Sequence, residues 1–462
     1  MTSHKKKDNH RLKNTWDWDQ TRLFQQRWFV KGKASFDFGW VIVGVSFITL
    51  ALAYGVWYSF SVFFVALLKE FGWSRSTAAG AFSLFVIIHS GMGPLVGRMA
   101  DRFGPRRVIV LGSFLLGVGL ALCSLISTWW NFYVFFGIIT AAGVGSIGWV
   151  PNTTIIQNWF KANRGLAIGI ISSGVGVGIF ICVPSIQHLI SGLGWRMAYR
   201  IMACFIPLVV APMAIAFLRK PARTTSPRDA SLSEEVIRAE IKDPLPLDEE
   251  WASRPWTIRR AIATRQFQLL SISFPLGAFA TQSILAHQVA FFVDQGMETL
   301  FASYTVGIVG IASVGAKILW GTLSDKIGRE VTYTIGIFCA ICGMISLIVF
   351  SVYPSPALPY FYGVSFGMGY AAAAALPALI TADFFEGNAY GGIFGALILL
   401  NGVGGASGAW FAGFLHDQVG NYVAVFIIMM GCALLASLTI WRAAPRKIRN
   451  VSAKRRHSPT SV

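Results

Sequence analysis

Twelve long apolar runs dominate this 462-residue chain, and they constrain its fold more than any other feature. Each run is close to the ~20 residues that an α-helix needs to cross a bilayer. The runs lie at about 40–68, 76–98, 107–127, 131–157, 165–190, 197–218, 267–293, 301–322, 332–352, 357–382, 390–414 and 420–441. Six runs precede a polar gap and six follow it. We therefore predict an all-α membrane protein with twelve transmembrane helices in two pseudo-symmetric six-helix bundles.

The composition excludes several classes of soluble protein. Charged residues make up 13% of the chain and hydrophobic residues 54%, whereas soluble domains carry about 25% charge. A soluble enzyme, a secreted disulfide scaffold or a nucleic-acid-binding domain would not have this balance. All six cysteines lie inside apolar runs. Cys339 and Cys342 have CxxC spacing, but no second pair and no histidine cluster accompanies them, and no nucleotide-binding motif is present. We therefore expect no metal and no cofactor.

The distribution of basic residues predicts the orientation in the membrane. Of the 39 lysines and arginines, 34 fall in the two tails and in the loops that share their side. The loops of the other side hold Lys69, Arg75, Arg196 and Arg200, and Lys317 lies inside a run. The positive-inside rule then places both termini in the cytoplasm. We expect a multi-pass monomer of the inner (plasma) membrane that contacts the lipid bilayer and binds no nucleic acid.

The same pattern divides the chain into five segments. The basic cytoplasmic tails are 1–39 and 443–462, the two helix bundles are 40–218 and 266–442, and 219–265 is a cytoplasmic linker loop.

A motif of the form GxxxD(R/K)xG occurs twice, after the second and after the eighth run, at an offset of 321 − 97 = 224 residues. Its residues are Gly97, Asp101, Arg102 and Gly104 in the first half and Gly321, Asp325, Gly328 and Arg329 in the second. The first glycine of each copy permits close helix approach, the second a chain reversal, and the aspartate can accept from a facing helix N-terminus or an arginine. We predict that these residues latch a gate at the cytoplasmic end. The alternative is a static loop.

The duplicated motif resembles the loop 2–3 signature of the major facilitator superfamily, and the resemblance covers about residues 38–442. Segments 158–169 (Asn-Trp-Phe, then Arg-Gly-Leu-Ala-Ile-Gly) and 390–395 (Tyr-Gly-Gly-Ile-Phe-Gly) resemble the oxalate/formate antiporter and monocarboxylate porter branch. The resemblance implies two bundles that rock about a midplane site and carry a small organic anion, together with a coupled proton or a counter-anion. Monocarboxylate porters place a substrate-binding arginine four residues before the second motif copy, where this chain has Lys317.

Lys317 is the one basic residue deep within a run, eight residues before Asp325. At ~1.5 Å per residue it lies about 12 Å from the inner surface, near the middle of a ~30 Å hydrocarbon core. A lone cation at that depth costs about 2.5–3.5 kcal/mol. We predict that a carboxylate substrate neutralises it. The alternatives are a side chain that snorkels toward the interface and one that pairs with an acid elsewhere in the protein.

Five further polar side chains within apolar runs are predicted substrate contacts: Tyr54, Tyr58, Asn152, His287 and Asn401. For His287, a role in an outer gate is an equal alternative. Together these features predict a secondary active transporter of a monocarboxylate or dicarboxylate that works by alternating access, and not an enzyme. The alternative functions are transport of a drug or neutral solute, with Lys317 structural, and a sensor built on a transporter fold.

Overall fold

The computed structural model describes residues 33–160, 164–219, 251, 255–385 and 389–445. Most of both basic tails and of the linker loop lies outside the described residues. Among these residues, twelve helices are long and apolar enough to cross a membrane, and they coincide with the twelve predicted runs. They are α1 (Lys33–Tyr58, continued as Phe60–Phe71), α2 (Arg75–Phe103), α3 (Pro105–Cys123), α4 (Trp129–Trp159), α5 (Arg164–Leu193), α6 (Trp195–Phe217), α7 (Arg265–Asp294), α8 (Thr299–Ile327), α9 (Arg329–Val352), α10 (Ala357–Phe384), α11 (Tyr390–Val419) and α12 (Val423–Ala443).

The helix contacts repeat between the two halves of the chain. In the first half, α1 packs along α5, α2 along α4, and α3 along α6; in the second half, α7 packs along α11, α8 along α10, and α9 along α12. The halves meet mainly through α2 with α11 and α5 with α8. Exchanging each helix for its counterpart in the other half (α2 for α8 and α11 for α5) turns one of these pairs into the other, which is the pattern expected of two parallel repeats.

Two local features set where the first-half helices begin and bend. Ser74 caps α2, because its hydroxyl oxygen accepts from the backbone N–H of Thr77 at 3.2 Å. The helix α4, predicted as one uninterrupted run, contains a π-helical turn at Tyr133–Thr140 and is interrupted again at Gly148. Such irregular turns are tolerated in a membrane helix that is covered by its neighbours.

We call the end of the molecule that carries the two GxxxD loops the motif end, and the other end the opposite end. At the motif end the chain reverses at Gly104 with φ 85° and at Gly328 with φ 103°. Both values lie in the left-handed region, where a side chain would be strained, so glycine is required at both reversals.

The two halves are joined toward the opposite end. The backbones of α5 and α8 approach so closely that a Cβ built at Gly176 would lie 2.5 Å from the carbonyl oxygen of Gly310. Between α2 and α11, the Ser83 hydroxyl donates to the carbonyl of Ala406 at 2.6 Å. These contacts close the space between the bundles on that side.

Toward the motif end, four glycines of the same helices face empty space. A Cβ built at Gly93 on α2, Gly169 on α5, Gly315 on α8 or Gly395 on α11 would meet no other atom within 4 Å. Among the described residues, the charged contacts between the halves lie at the opposite end, so the motif end is the more open of the two.

Candidate functional site

A cavity of about 170 Å³ lies between the halves, halfway along the helices. Its walls come from α1 in the first half and from α7, α9, α10 and α11 in the second. The polar side chains on these walls are Tyr54, Trp57, Tyr58, Thr281, Gln282, Tyr333, Tyr370 and Asn401, and the rest of the lining is glycine, alanine, proline and phenylalanine. Small-molecule binding sites are usually mostly apolar pockets that contain a few polar groups.

Three tyrosines form what we call the hydroxyl cluster: Tyr54, Tyr58 and Tyr370. Tyr54 and Tyr58 are four residues apart on α1 and therefore face the same side. The hydroxyls of Tyr58 and Tyr370 are 2.7 Å apart and share a hydrogen bond that crosses from one half to the other. Since the bond joins α1 to α10, a ligand that binds at the hydroxyl cluster would touch both halves at once.

The ammonium of Lys317 lies beside this cluster. Its Nζ is 5.9 Å from the centre of the Tyr370 ring, within the range of a cation–π contact. It also donates a long hydrogen bond of 3.5 Å to the carbonyl of Ser172 on α5. Among the described residues, no carboxylate forms an ion pair with it. The ammonium can donate three hydrogen bonds, so most of its capacity is free to meet a ligand.

Two buried polar atoms on the cavity wall lack a hydrogen-bond partner among the described residues. They are the indole nitrogen of Trp57, which can only donate, and the amide oxygen of Gln282, which can only accept. Unsatisfied buried groups are costly, and both residues line the cavity. A bound molecule with an acceptor and a donor would satisfy them.

The structure places Asn152 and His287 away from the cavity lining. The side-chain amide of Asn152 donates to the carbonyls of Ile147 and Gly148 at 2.8 and 2.7 Å, so its donors are used by its own helix. The ring of His287 is buried, with Nε2 at 2.9 Å from the carbonyl of Ala409. Because a carbonyl only accepts, Nε2 carries a proton. The position of His287, near the opposite end, matches the outer-gate alternative better than substrate contact.

A polar assembly at the opposite end, which we call the opposite-end latch, consists of Arg75, Asp294, Asp417 and Tyr422. The guanidinium of Arg75 pairs with Asp294 at 2.6 Å and donates to the Tyr422 hydroxyl at 2.8 Å. The carboxylate of Asp417 accepts from the backbone N–H groups of Arg75 and Ser76 at 3.0 and 2.8 Å. The second half thus supplies a carboxylate cap for the first turn of α2, where a negative charge is favourable.

His287 extends this assembly inward. Its Nδ1 lies 2.9 Å from the Tyr422 hydroxyl, the same oxygen that accepts from Arg75. The latch therefore continues from the surface carboxylates into the buried end of α7.

Among the described residues, the gating residues predicted at the motif end form no cross-half contact in this conformation. Arg329 pairs with Asp325 at 2.7 Å and with Asp383 at 2.9 Å, all within the second half. Asp101 and Arg102 are exposed. The close helix approach predicted at Gly97 and Gly321 is also absent: a Cβ at Gly97 would be 3.9 Å from the nearest other atom, and one at Gly321 would meet none within 4 Å. The physical reason is that the two halves are apart at this end.

Sequence reasoning missed Tyr370, although a signal for it exists. Tyr370 directly follows a Gly-x-Gly at Gly367 and Gly369, and the first half has the same pattern at Gly143 and Gly145. The offset is 367 − 143 = 224 residues, identical to that of the GxxxD motif. Extending the repeat to α4 and α10 would have marked the residue after the second glycine.

Comparison with known proteins decides the family. A family model described as Major Facilitator Superfamily matches residues 46–397. The chain belongs to this superfamily. The prediction from the duplicated GxxxD motif is thereby confirmed, and the protein is a multi-pass membrane transporter and not an enzyme.

The relatives include proteins of the monocarboxylate porter branch. Monocarboxylate transporter 13 of Rattus norvegicus is 25% identical over 400 residues, which cover 86% of this chain and 87% of that protein. Monocarboxylate transporter 12-B of Danio rerio is 26% identical over 429 residues, which cover 86% of this chain and 85% of that protein. MFS-type transporter 1 of Ophiocordyceps sp. (strain BCC 1869) is 27% identical over 432 residues, which cover 89% of this chain and 87% of that protein.

Solved structures show the same fold at lower identity. A bacterial homologue of the human lysosomal transporter Spinster, in an inward-facing and unoccupied conformation, superposes with a TM-score of 0.67 at 16% identity, covering 89% of this chain and 97% of that one. A D-xylose–proton symporter gives 0.63 at 18% identity, covering 88% and 98%. The predicted twelve-helix architecture is confirmed.

Proposed function

We propose that the protein is a secondary active transporter of a small organic anion, a monocarboxylate or dicarboxylate, which binds between the halves at Lys317 and the hydroxyl cluster. The observation that carries the proposal is the ammonium of Lys317, which lies beside the cavity without a carboxylate partner among the described residues. A charge in that position is costly unless a counter-ion joins it. The relatedness to monocarboxylate transporters supports the same substrate class.

The anion would be held by groups from both halves. Its carboxylate would accept from Lys317 and from the tyrosine hydroxyls, and Asn401 on α11 would contact the remainder of the molecule. Charge-assisted hydrogen bonds of this kind are about twice as strong as neutral ones. Because Tyr54 and Tyr58 belong to the first half and Lys317 to the second, binding would draw the halves together.

Closing of the motif end would then require the GxxxD residues to exchange partners. We propose that Asp101 and Asp325 latch that end when the halves meet, while the opposite-end latch releases. Under this proposal the motif end is the cytoplasmic end, the membrane is the plasma membrane, and a proton or a counter-anion completes the cycle. Each latch is a set of charged contacts that exists in only one end state, as alternating access requires.

A ligand-stability screen followed by uptake tests the proposal. The purified protein would be heated with a panel of carboxylates, amines and sugars, since a ligand that binds the native state raises the unfolding temperature. We expect a carboxylate to stabilise the protein and to be taken up by proteoliposomes that contain it. Stabilisation by a neutral solute or an amine alone would contradict the proposal, and stabilisation by a carboxylate without uptake would favour a sensor.

A further inference from the structure

A second cleft, of about 400 Å³, lies at the motif end of the first half, outside the central cavity. Its floor is formed by the buried residues Gly104, Pro105, Ile155 and Leu218. Its walls carry four exposed arginines, which we call the arginine cleft: Arg102, Arg106, Arg107 and Arg219. The described lining also contains Phe103 and Asn158 and includes no carboxylate.

The charge in this cleft is placed where the helix would not favour it. Arg106 and Arg107 lie in the first turn of α3, which has no acidic residue and no side-chain cap. The N-terminus of a helix carries a partial positive charge, so two arginines in the first turn are electrostatically unfavourable. An anion bound there would be attracted by both the helix N-terminus and the guanidinium groups. Since Pro105 has no N–H, the free backbone donors of this turn begin at Arg106.

The equivalent corner of the second half is neutralised by the protein itself. There, Arg329 pairs with Asp325 and Asp383, and the first turn of α9 contains Glu330. In the repeat, Glu330 corresponds to Arg106 (330 − 106 = 224), and Asp383-Phe384-Phe385 corresponds to Asn158-Trp159-Phe160 (383 − 158 = 225). The first half thus has an arginine and an uncharged amide at the two places where the second half has carboxylates.

We propose that the arginine cleft binds the phosphate group of an anion, and that the anion is the headgroup of an acidic phospholipid. Arginine forks match phosphate oxygens geometrically. Phe103 (48% exposed) lines the cleft, and Phe217 (41% exposed) precedes the lining residue Leu218 in the chain, so exposed rings at this end could contact acyl chains near the headgroup level. Free inorganic phosphate shares the chemistry but has no use for this apolar rim.

The test uses the purified full-length protein in detergent and follows its thermal unfolding. The protein is titrated separately with phosphatidylglycerol, with phosphatidylcholine and with inorganic phosphate, at the same phosphate concentrations. The variant is Arg106→Gln/Arg107→Gln. The matched control is Arg259→Gln/Arg260→Gln, which removes two exposed arginines from the same end of the molecule but outside the cleft.

We expect phosphatidylglycerol to stabilise the wild type and the control at similar concentrations. The cleft variant should need about 30-fold more lipid for the same shift, since each arginine near an anionic surface contributes roughly fivefold in affinity. Arg219→Gln should need about fivefold more, and it serves as the second variant if the double variant does not fold.

Other outcomes overturn the proposal wholly or in part. Phosphatidylcholine also carries a phosphate but has no net charge, so equal stabilisation by the two lipids would refute an acidic headgroup as the ligand. Equal losses in the cleft and control variants would show that the cleft is not the binding site. Stabilisation by inorganic phosphate at the concentrations at which the lipid acts would retain the phosphate site and refute the lipid as its source. None of these results bears on Lys317, so this inference can fail while the transport proposal holds, and the reverse.

Discussion

Removal of the two carboxylates that the second half presents to the first should shift the protein toward the state that is open at the opposite end. In Asp294→Asn/Asp417→Asn, Arg75 loses its ion pair at 2.6 Å, and the first turn of α2 loses the charged cap on two N–H groups. The pair is partly exposed and contributes about 1 kcal/mol; the cap contributes about 1 kcal/mol as well. The sum of about 2 kcal/mol corresponds to a shift of about 30-fold in the equilibrium between the two end states.

Hydrogen exchange measured by mass spectrometry would report this shift at both ends of the molecule. Amides at the start of α2 and at the end of α11 should exchange up to about 30-fold faster, because local opening there becomes more populated. Amides at the motif ends of the same helices should exchange more slowly, since closing that end buries them. Opposite changes at the two ends distinguish a conformational shift from general loss of stability.

The matched control is Glu70→Gln. It removes the ion pair between Glu70 and Arg196 (2.5 Å), which lies at the same end of the molecule but joins two residues of the first half. It should leave the balance between the end states unchanged. If the double variant accelerates exchange at both ends, or if Glu70→Gln produces the same pattern, the opposite-end latch does not hold the halves together and the reasoning is refuted.

Three further changes test other contacts. Gly310→Ala would place a methyl group 2.6 Å from the carbonyl oxygen of Gly176, so it should prevent α5 and α8 from closing and lower the transport rate at least tenfold in proteoliposomes. Tyr370→Phe removes the 2.7 Å hydrogen bond to Tyr58 and should weaken substrate binding by about fivefold in a thermal-shift titration, with unfolding of the empty protein little changed. Asp325→Asn should slow transport while substrate affinity, measured on the same protein, stays within about twofold, because the latch acts on gating and not on the site.

The membrane helices could be predicted from the sequence because each depends on a local property. Twenty apolar residues in lipid must satisfy their backbone groups internally, so the run itself determines the helix. The duplicated GxxxD motif likewise placed two chain reversals, and Gly104 and Gly328 both adopt the positive φ that such reversals need. The interruption of α4 at Gly148 was missed, since it depends on how neighbouring helices cover the break.

The site was predicted less completely because polarity within an apolar run does not show where a side chain points. Asn152 and His287 satisfied the same criterion as Tyr58, yet a nearby carbonyl accepts from each of them. Tyr370 lies before five alanines, and its signal is its place in the internal repeat, directly after Gly367 and Gly369, rather than its own local sequence. The pairing of Arg75 with Asp417 joins residues 342 positions apart, and only the arrangement of the two halves reveals it.

Under the proposed mechanism, an organic anion neutralises Lys317 during transport. The most direct measurement is uptake of the stabilising carboxylate into proteoliposomes by wild type and by Lys317→Gln, with Lys69→Gln, an exposed lysine outside the cavity, as the control. Loss of one charge-assisted contact of about 2 kcal/mol should lower the uptake efficiency of Lys317→Gln roughly 30-fold, and the uptake efficiency of the control should be unchanged. Wild-type uptake by Lys317→Gln would contradict the claim, although the twelve-helix transporter fold would remain.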